Sequence, residues 1–510
     1  MLPRNPLLSS QALKLIEALP SPPALPLIGH LALVKPWDGP TFLERMCSLS
    51  DVYSEFFVLK LRRDPFIVLS SPTAVKEVFS GSEARGFRAQ STKGVLYKFL
   101  HPWLGTGLLT SNGNESGDKW HTRRKMLTPA FDWSIIKQFV GVFNEQSRVL
   151  VHVLNSHCNA NTDGTKTVDI FPIVTHATLD VICAAAMGRH FNAQLESNNE
   201  YASSVKLASE LIWTRMTTPF LNPDFIWNIS PQGRKLKSLL KVLHSFTDRV
   251  IAERRASRPK ADSIASVGSG IEGERLAFLD LLLENDSLND SDIREEVDTF
   301  MFEGHDTTAS GLSFTMWCLG HHPAVMKKLQ DEVDSICGRD APTFEQAKEL
   351  KYCDMVLKEA MRLFPPVPSI SRTLHQNISL LDQNSKEMII PKNSSIIIVP
   401  YVMHRSVQRW GPDAGVFRPE RFDRNDPAQD SRLTNHPYLY LPFSQGQRNC
   451  IGRLFADTEQ KVVLAHLIQN FTWQSVQQEK ELELQPELIM KPGKGVHLRM
   501  FKRVLTPASR

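Results

Sequence analysis

Residues 443–452 (FSQGQRNCIG) limit what this chain can build more than any other stretch. One cysteine, Cys450, stands just ahead of a helical pattern running from Arg453 to Asn470, with glycines at 446 and 452. Glycines let backbone N–H groups come close to a sulfur, and a helix start carries partial positive charge. Both features favour a thiolate, which must stay deprotonated to act as a metal ligand. Arg448 can pair with an acidic group on a bound ligand, and Phe443 can pack near the sulfur and keep water away. A cysteine buried for packing at a loop–helix junction would explain Cys450 alone, but not the residue types fixed around it.

Phe443, Gly446, Arg448, Cys450 and Gly452 together fit the pattern FxxGxRxCxG. A thiolate on haem iron pushes electron density toward the metal and favours O–O cleavage, which accounts for such a loop. The stretch resembles the cysteine-ligand loop of cytochromes P-450. Other motifs, in the family's order and spread over most of the chain, carry the same resemblance. Glu359 and Arg362 form an ExxR pair on one helix face, and FRPERF follows at residues 417–422. The resemblance implies that Arg421 joins that pair in a buried network holding the proximal side of the haem. These three residues are therefore assigned to the fold and not to the reaction.

Trp120 and Arg124 lie one helical turn apart in a WxxxR pattern, so both can reach the haem propionates. A core tryptophan beside a solvated basic patch is the plainer reading of that motif standing alone. The GTGLL stretch at residues 105–109 lacks the third glycine and the preceding strand of a dinucleotide site. Residues 296–310 (EVDTFMFEGHDTTAS) match the family's (A/G)GxDT pattern. Gly304 is expected to thin the helix where O2 sits over iron. Thr307 can hold a water or the distal oxygen, and Asp306 can relay protons from solvent, two of which are needed to break O–O. Hydroxyls bonded to their own i−4 carbonyls are the alternative for Thr307 and Thr308.

Glu303 stands where the family usually has alanine. A carboxylate there, beside Phe300, Met301 and Phe302, is costly if buried without a partner. The segment resembles family 4, the fatty-acid ω-hydroxylase branch, as do WLGTGLLTS, RRKMLTPAF and RLFPPVP. In that branch this glutamate forms an ester with a haem methyl group, and the same is expected of Glu303. The stretch HRSVQRWGP departs from the commoner HRDPxxWxxP, which puts local turn geometry in doubt.

Composition agrees with one large catalytic domain. Of 510 residues, 42% are hydrophobic and 22% charged, enough for a sizeable core. With 59 basic and 55 acidic residues, net charge is only +4, too balanced for a dedicated nucleic-acid binder. Seven cysteines without CxxC spacing argue against a disulfide framework or a zinc site.

Residues 1–19 lack an apolar run of the roughly 20 residues that span a bilayer. Leu13, Leu15, Ile16 and Leu19 can line a short helix, either on a membrane surface or docked on the body. Four prolines in residues 19–30 (LPSPPALPLIGH) predict a stiff extended linker. The expected division is a membrane-associated segment and linker at 1–30 and a catalytic domain at 31–510. Residues 54–71 read as a hairpin with a charged turn ending in Asp64-Pro65. A long helix is expected at 288–320, a mobile loop at 255–275, and short strands near 376–400. A last strand pair is placed near 481–502 with Pro492-Gly493 in its turn. The fold class is α+β, mostly α, with a long distal helix over the haem and small β-sheets.

The resemblance implies a monooxygenase carrying haem b (iron protoporphyrin IX) and using O2. Electrons come from NADPH through NADPH-cytochrome P-450 reductase, with cytochrome b5 as a further partner, because the chain has no flavin or nicotinamide motif of its own. Fatty-acid ω-hydroxylation is the expected reaction; steroids, terpenoids and foreign compounds are alternative substrates. A P-450-fold peroxide isomerase needs no proton relay, so the Asp306-Thr307 pair argues against it. Pocket walls are expected from residues 98–116, 208–225, 300–312 and 365–372. The expected location is the cytosolic face of the endoplasmic reticulum membrane, held by residues 7–19 and 219–227.

Overall fold

The central element starts with two reciprocal hydrogen bonds. The Asn289 side chain accepts from the Asp292 N–H at 3.0 Å, and the Asp292 carboxylate accepts from the Asn289 N–H at 3.3 Å. This capping box satisfies two donors that a helix start leaves free. It opens a 32-residue helix, Asp290–His321, which stops just before Pro323, the first residue of the helix Pro323–Cys337. From Val297 onward the helix is buried on nearly every side, so it threads the core instead of lying on it. The computed structural model describes residues 8–26, 28–34, 39–61, 64–79, 91–112, 118–159, 166–196, 199–257, 278–425 and 436–503.

Helices pack around this axis. Ile170–Ala186 makes its broadest contact, while Arg453–Asn470 lies mainly against Trp133–Asn159. A five-stranded sheet flanks the bundle, in the order Phe56–Leu61, Asp64–Leu69, Ser395–Ile398, Ile370–Leu374, Ser91–Lys93. The pairing of Asp64–Leu69 with Ser395–Ile398 is parallel and the other three are antiparallel.

The expected hairpin forms, but Asp64 and Pro65 belong to its second strand, paired with Leu61 and Lys60. Proline is tolerated there because Asp64–Leu69 begins at that point. The C-terminal strand pair also differs from expectation. Leu484–Pro486 pairs with Met490–Pro492, so its turn falls at residues 487–489 and not at Pro492-Gly493. His497–Lys502 pairs instead with Phe471–Ser475 and with Val168–Asp169. Strand partners of such short segments are set by distant chain, which local pattern does not encode. The polar loop expected at 255–275 lies outside the described residues beyond Ser257, where the helix Pro231–Ser257 ends.

Residues 19–30 run along the body. The Val58 N–H donates to the Pro20 carbonyl at 2.8 Å, the His30 N–H to Lys60 at 2.8 Å, and the Lys60 N–H to His30 Nδ1 at 2.7 Å. Ile16 and Leu19, at the end of the short helix Ser10–Glu17, sink into the sheet's apolar layer with Val58 and Ile67. The prolines prevent helix, as the sequence implies, but the segment is stitched to the sheet edge and is no free spacer.

On the opposite flank Glu359 is fully buried and accepts four hydrogen bonds. They come from Arg362 Nε (2.7 Å) and Nη2 (2.8 Å), Arg421 Nε (3.2 Å) and the Arg418 N–H (3.0 Å). Arg362 also donates to the carbonyls of His404 and Ala414, both at 2.7 Å. His404 Nε2 in turn accepts from the Leu441 N–H at 2.8 Å, two residues before the loop that carries Cys450. The network thus ties the helix Lys351–Leu363 to the cysteine loop.

Candidate active site

Between the long helix and the cysteine loop lies a cavity lined by apolar and cationic side chains. Seven of the eight residues singled out from sequence line it: Trp120, Arg124, Glu303, Thr307, Phe443, Arg448 and Cys450. They come from three separate stretches of chain.

Each is set by its neighbours. Of the seven cysteines, only Cys450 has an exposed surface, and that surface opens on the cavity. Its N–H donates to the Phe443 carbonyl at 2.9 Å, closing the loop. Gly446 has φ +74°, and a Cβ there would meet the Phe79 carbonyl oxygen at 2.9 Å, so both backbone and space demand glycine. A Cβ on Gly452 would lie 4.0 Å from the Cys450 sulfur, so this glycine is not needed to avoid a clash. Burial pushes the thiol up to about 12, Glu303 adds to the rise, and the Gly452 N–H and Arg124 pull it down. A protein environment of this kind leaves the thiol protonated until a cation binds it.

Cations dominate the cavity's charge. Arg124, Arg448, Arg372 and Lys93 all line it, against one carboxylate, Glu303. Arg448 stacks 3.9 Å over the Trp120 ring and donates to the Ser111 carbonyl, while Arg124 grips Asn449 through two 2.8 Å hydrogen bonds. Burial, reinforced by Arg372, brings Arg448 down to about 9; burial and Arg372 also push Lys93 down. Among the described residues none of the four cations has an ion-pair partner. A ligand bringing two carboxylates would relieve this repulsion. The open cysteine and the excess of cations fit haem, whose propionates Arg124, Arg448 and Trp120 would hold and whose iron Cys450 would ligate.

On the other wall, the Glu303 carboxyl opens on the cavity, which Lys93 also lines. Burial raises it to about 7, with Lys93 pulling it back down. Thr307 Oγ1 donates to the Glu303 carbonyl at 2.7 Å and Thr308 Oγ1 to Gly304 at 3.1 Å, so both hydroxyls make the i−4 bond. Thr178 donates to the His305 carbonyl at 3.0 Å, so three successive carbonyls of the long helix accept side-chain hydroxyls. The Thr307 hydroxyl keeps its lone pairs free for a donor in the cavity.

Gly304 lines the cavity, and a Cβ there would also meet Ile182 of the neighbouring helix at 2.7 Å, so close helix packing is a further reason for that glycine. Other expectations change. Asp306 does not line the cavity; it is 3% exposed and faces Lys491, with its Oδ2 3.4 Å from Nζ. Successive helical residues point about 100° apart, which separates Asp306 from Thr307. The anticipated wall 208–225 contributes nothing, whereas Lys93, Tyr97, Phe131 and Ile182 do. Their sequence contexts carry no mark of it, because the fold brings them in from a sheet edge and a helix face.

The Cytochrome P450 family model matches residues 19–499. Cytochrome P450 4V2 of Mus musculus is 39% identical over 492 residues, covering 94% of this chain and 89% of that protein. The human protein of the same name is 38% identical over the same length. Cytochrome P450 4c3 of Drosophila melanogaster is 34% identical over 517 residues, covering 97% and 91%. Loop, cavity, charge and these likenesses agree, and the chain belongs to the cytochrome P450 family as a haem-thiolate monooxygenase akin to its family 4.

Proposed function

We propose that this monooxygenase hydroxylates the terminal carbon of fatty acids. The observation that carries the proposal is Glu303, a carboxyl opening on the cavity one turn before Thr307. Haem bound to Cys450 supplies the activation of O2, with electrons from a reductase. Phe131 and Phe300 stack at 5.3 Å and, with Leu108, Val367 and Ile370, give the cavity an apolar side for a hydrocarbon chain. Arg124 and Arg448 bind and orient carboxylates on the haem side, and Thr307 holds a proton-bearing hydroxyl above it.

Glu303 is the residue that would be esterified to a haem methyl group, with haem, O2 and reductase electrons supplying the oxidising chemistry when bound. Ester formation removes a charge that burial disfavours. It also stiffens the pocket, which suits attack at a terminal methyl, where the C–H bond is stronger than at its neighbours.

NADPH-cytochrome P-450 reductase is the proposed electron donor, with cytochrome b5 as a second partner. Attachment to the cytosolic face of the endoplasmic reticulum rests on Phe220 (62% exposed), Phe225 (70%) and Ile229 (70%), an apolar patch of the sort that seats in a membrane surface. Among the described residues no helix is long and apolar enough to cross a membrane.

Product analysis on a fatty-acid panel with reductase and NADPH tests the reaction; terminal alcohols are expected, and hydroxylation of steroids alone would overturn it. Acid-denaturing chromatography after turnover tests the ester. Haem travels with wild-type polypeptide and separates from Glu303→Ala; wild-type haem that always separates refutes it.

A further inference from the structure

The cavity shows where protons are needed but not how they arrive. Asp306, next to the cavity-lining Thr307, turns to the other side of the long helix. There it meets the hairpin Leu484–Pro486/Met490–Pro492, which is clamped to the same helix: Ser310 Oγ donates to the Met490 carbonyl at 2.7 Å. The Met490 N–H donates to Pro366 at 2.7 Å, fixing the hairpin from its far side.

Asp306 Oδ2 and Lys491 Nζ are 3.4 Å apart, and the two residues are 3% and 5% exposed. Glu487, in the hairpin's turn four residues before Lys491, is half-buried. The charges acting on it include Lys491, Asp306 and, on the helix Glu200–Thr217, half-buried Glu210 and exposed Lys206. Among the described residues, Asp306 Oδ2, Lys491 Nζ and Glu487 Oε2 are all buried atoms without a hydrogen-bond partner. Unmet polar atoms grouped in this way call for bridging water, which needs two to four such partners.

We propose that Glu487, Lys491 and Asp306 form the proton entrance of this enzyme, with Glu487 as the acid at its mouth and Lys491 as the residue that positions Asp306. The path rests on the oxygen-activating role given to Thr307. A Glu487 carboxyl passes its proton through water to the Asp306 carboxylate, and the Glu487 carboxylate is reprotonated from solvent. Asp306 then releases the proton toward Thr307 and returns to its anion. Lys491 takes no part in the transfer, so the three side chains are unchanged after each proton, and two passages supply the protons that O–O cleavage consumes.

Charge around Glu487 supports this role. Burial raises it to about 7, with Lys491 opposing and Glu210 and Asp306 adding to the rise, while Lys206 lowers it. A group that titrates near neutrality can both give and regain a proton at working pH. His305, the neighbour of Asp306, is held neutral by burial and leaves Nε2 unpartnered, so it presents no competing cation.

Purified holoenzyme carrying Glu487→Gln, Glu487→Asp or Lys491→Met tests the path, with dodecanoic acid, reductase and NADPH. In Glu487→Gln and Lys491→Met, product per NADPH falls about tenfold and hydrogen peroxide release rises to match. Glu487→Asp restores most of the coupling. Product formation driven by added hydrogen peroxide, whose oxygens arrive already protonated, stays at the wild-type level. Infrared titration of resting enzyme provides a readout independent of turnover: the wild-type-minus-Glu487→Gln difference spectrum shows a protonated-carboxyl band that vanishes above neutral pH. Coupling equal to wild type in Glu487→Gln, loss of the peroxide-driven reaction together with the NADPH-driven one, or absence of that difference band would each overturn the proposal. Wild type that makes no oxygenated product under any of these conditions would instead overturn the reading of Thr307.

Discussion

The two walls of the cavity treat buried charge in opposite ways. On the proximal side Glu359 accepts four hydrogen bonds, and Arg362 and Arg421 spend their remaining donors on backbone carbonyls and Asp413. On the distal helix Asp298 Oδ2, His305 Nε2 and Asp306 Oδ2 are buried without a hydrogen bond among the described residues, and Glu303 faces the cavity. A saturated network is rigid, because every movement breaks a charged hydrogen bond in a low dielectric. Unsaturated groups can change protonation with little structural cost, and proton delivery requires that. The proximal wall is therefore built to hold Cys450, the proposed metal ligand, still, and the distal wall suits the proton handling proposed for it. Glu459, on the cysteine-bearing side, is an exception: it is fully buried with neither oxygen partnered, and burial drives it toward the neutral acid.

The comparison breaks first at Cys450. Cys450→Ser should abolish both turnover and the absorption of the reduced carbon monoxide complex typical of thiolate haem; retention of both would remove the metal ligand from the proximal wall. Next comes the saturated network. Glu359→Ala leaves Arg362 and Arg421 buried without their carboxylate and should cost about 3–5 kcal/mol, read as loss of stable holoenzyme in denaturant titration. A change below ~1 kcal/mol would show that the wall is not held by this network.

Thr307→Ala probes the other wall. NADPH use should continue while product per NADPH falls about tenfold and peroxide appears in its place; unchanged coupling would refute proton handling at Thr307. The smallest effect expected is at Glu296, also on the long helix, which accepts from the Leu108 N–H at 3.0 Å and lies 3.8 Å from Arg123. Burial raises its carboxyl to about 7 from an ordinary value of 4.5. Between those pH values the folded state binds more protons than the unfolded chain, so stability falls as pH rises through that window. Glu296→Gln should flatten that slope by roughly 1–3 kcal/mol across the window, measured by denaturant unfolding at each end. An unaltered slope would place the titration elsewhere.

Much of this protein was legible in one dimension. FxxGxRxCxG, ExxR with FRPERF, WxxxR and the EGHDT segment are short because each serves one local geometry: a loop with φ +74° at Gly446, a helix face, a helical turn. Helix boundaries followed for the same reason, since Asn289, Asp292 and Pro323 act on their nearest turns. From these the fold class and the family could be read directly. Contacts between distant segments could not. That Lys491 faces Asp306, that Ile182 packs against Gly304, that Lys93 and Arg372 join the cavity, and that His497–Lys502 pairs with Phe471–Ser475 all depend on elements far apart in the chain. Such contacts are chosen by packing the whole core at once, a choice no local pattern contains.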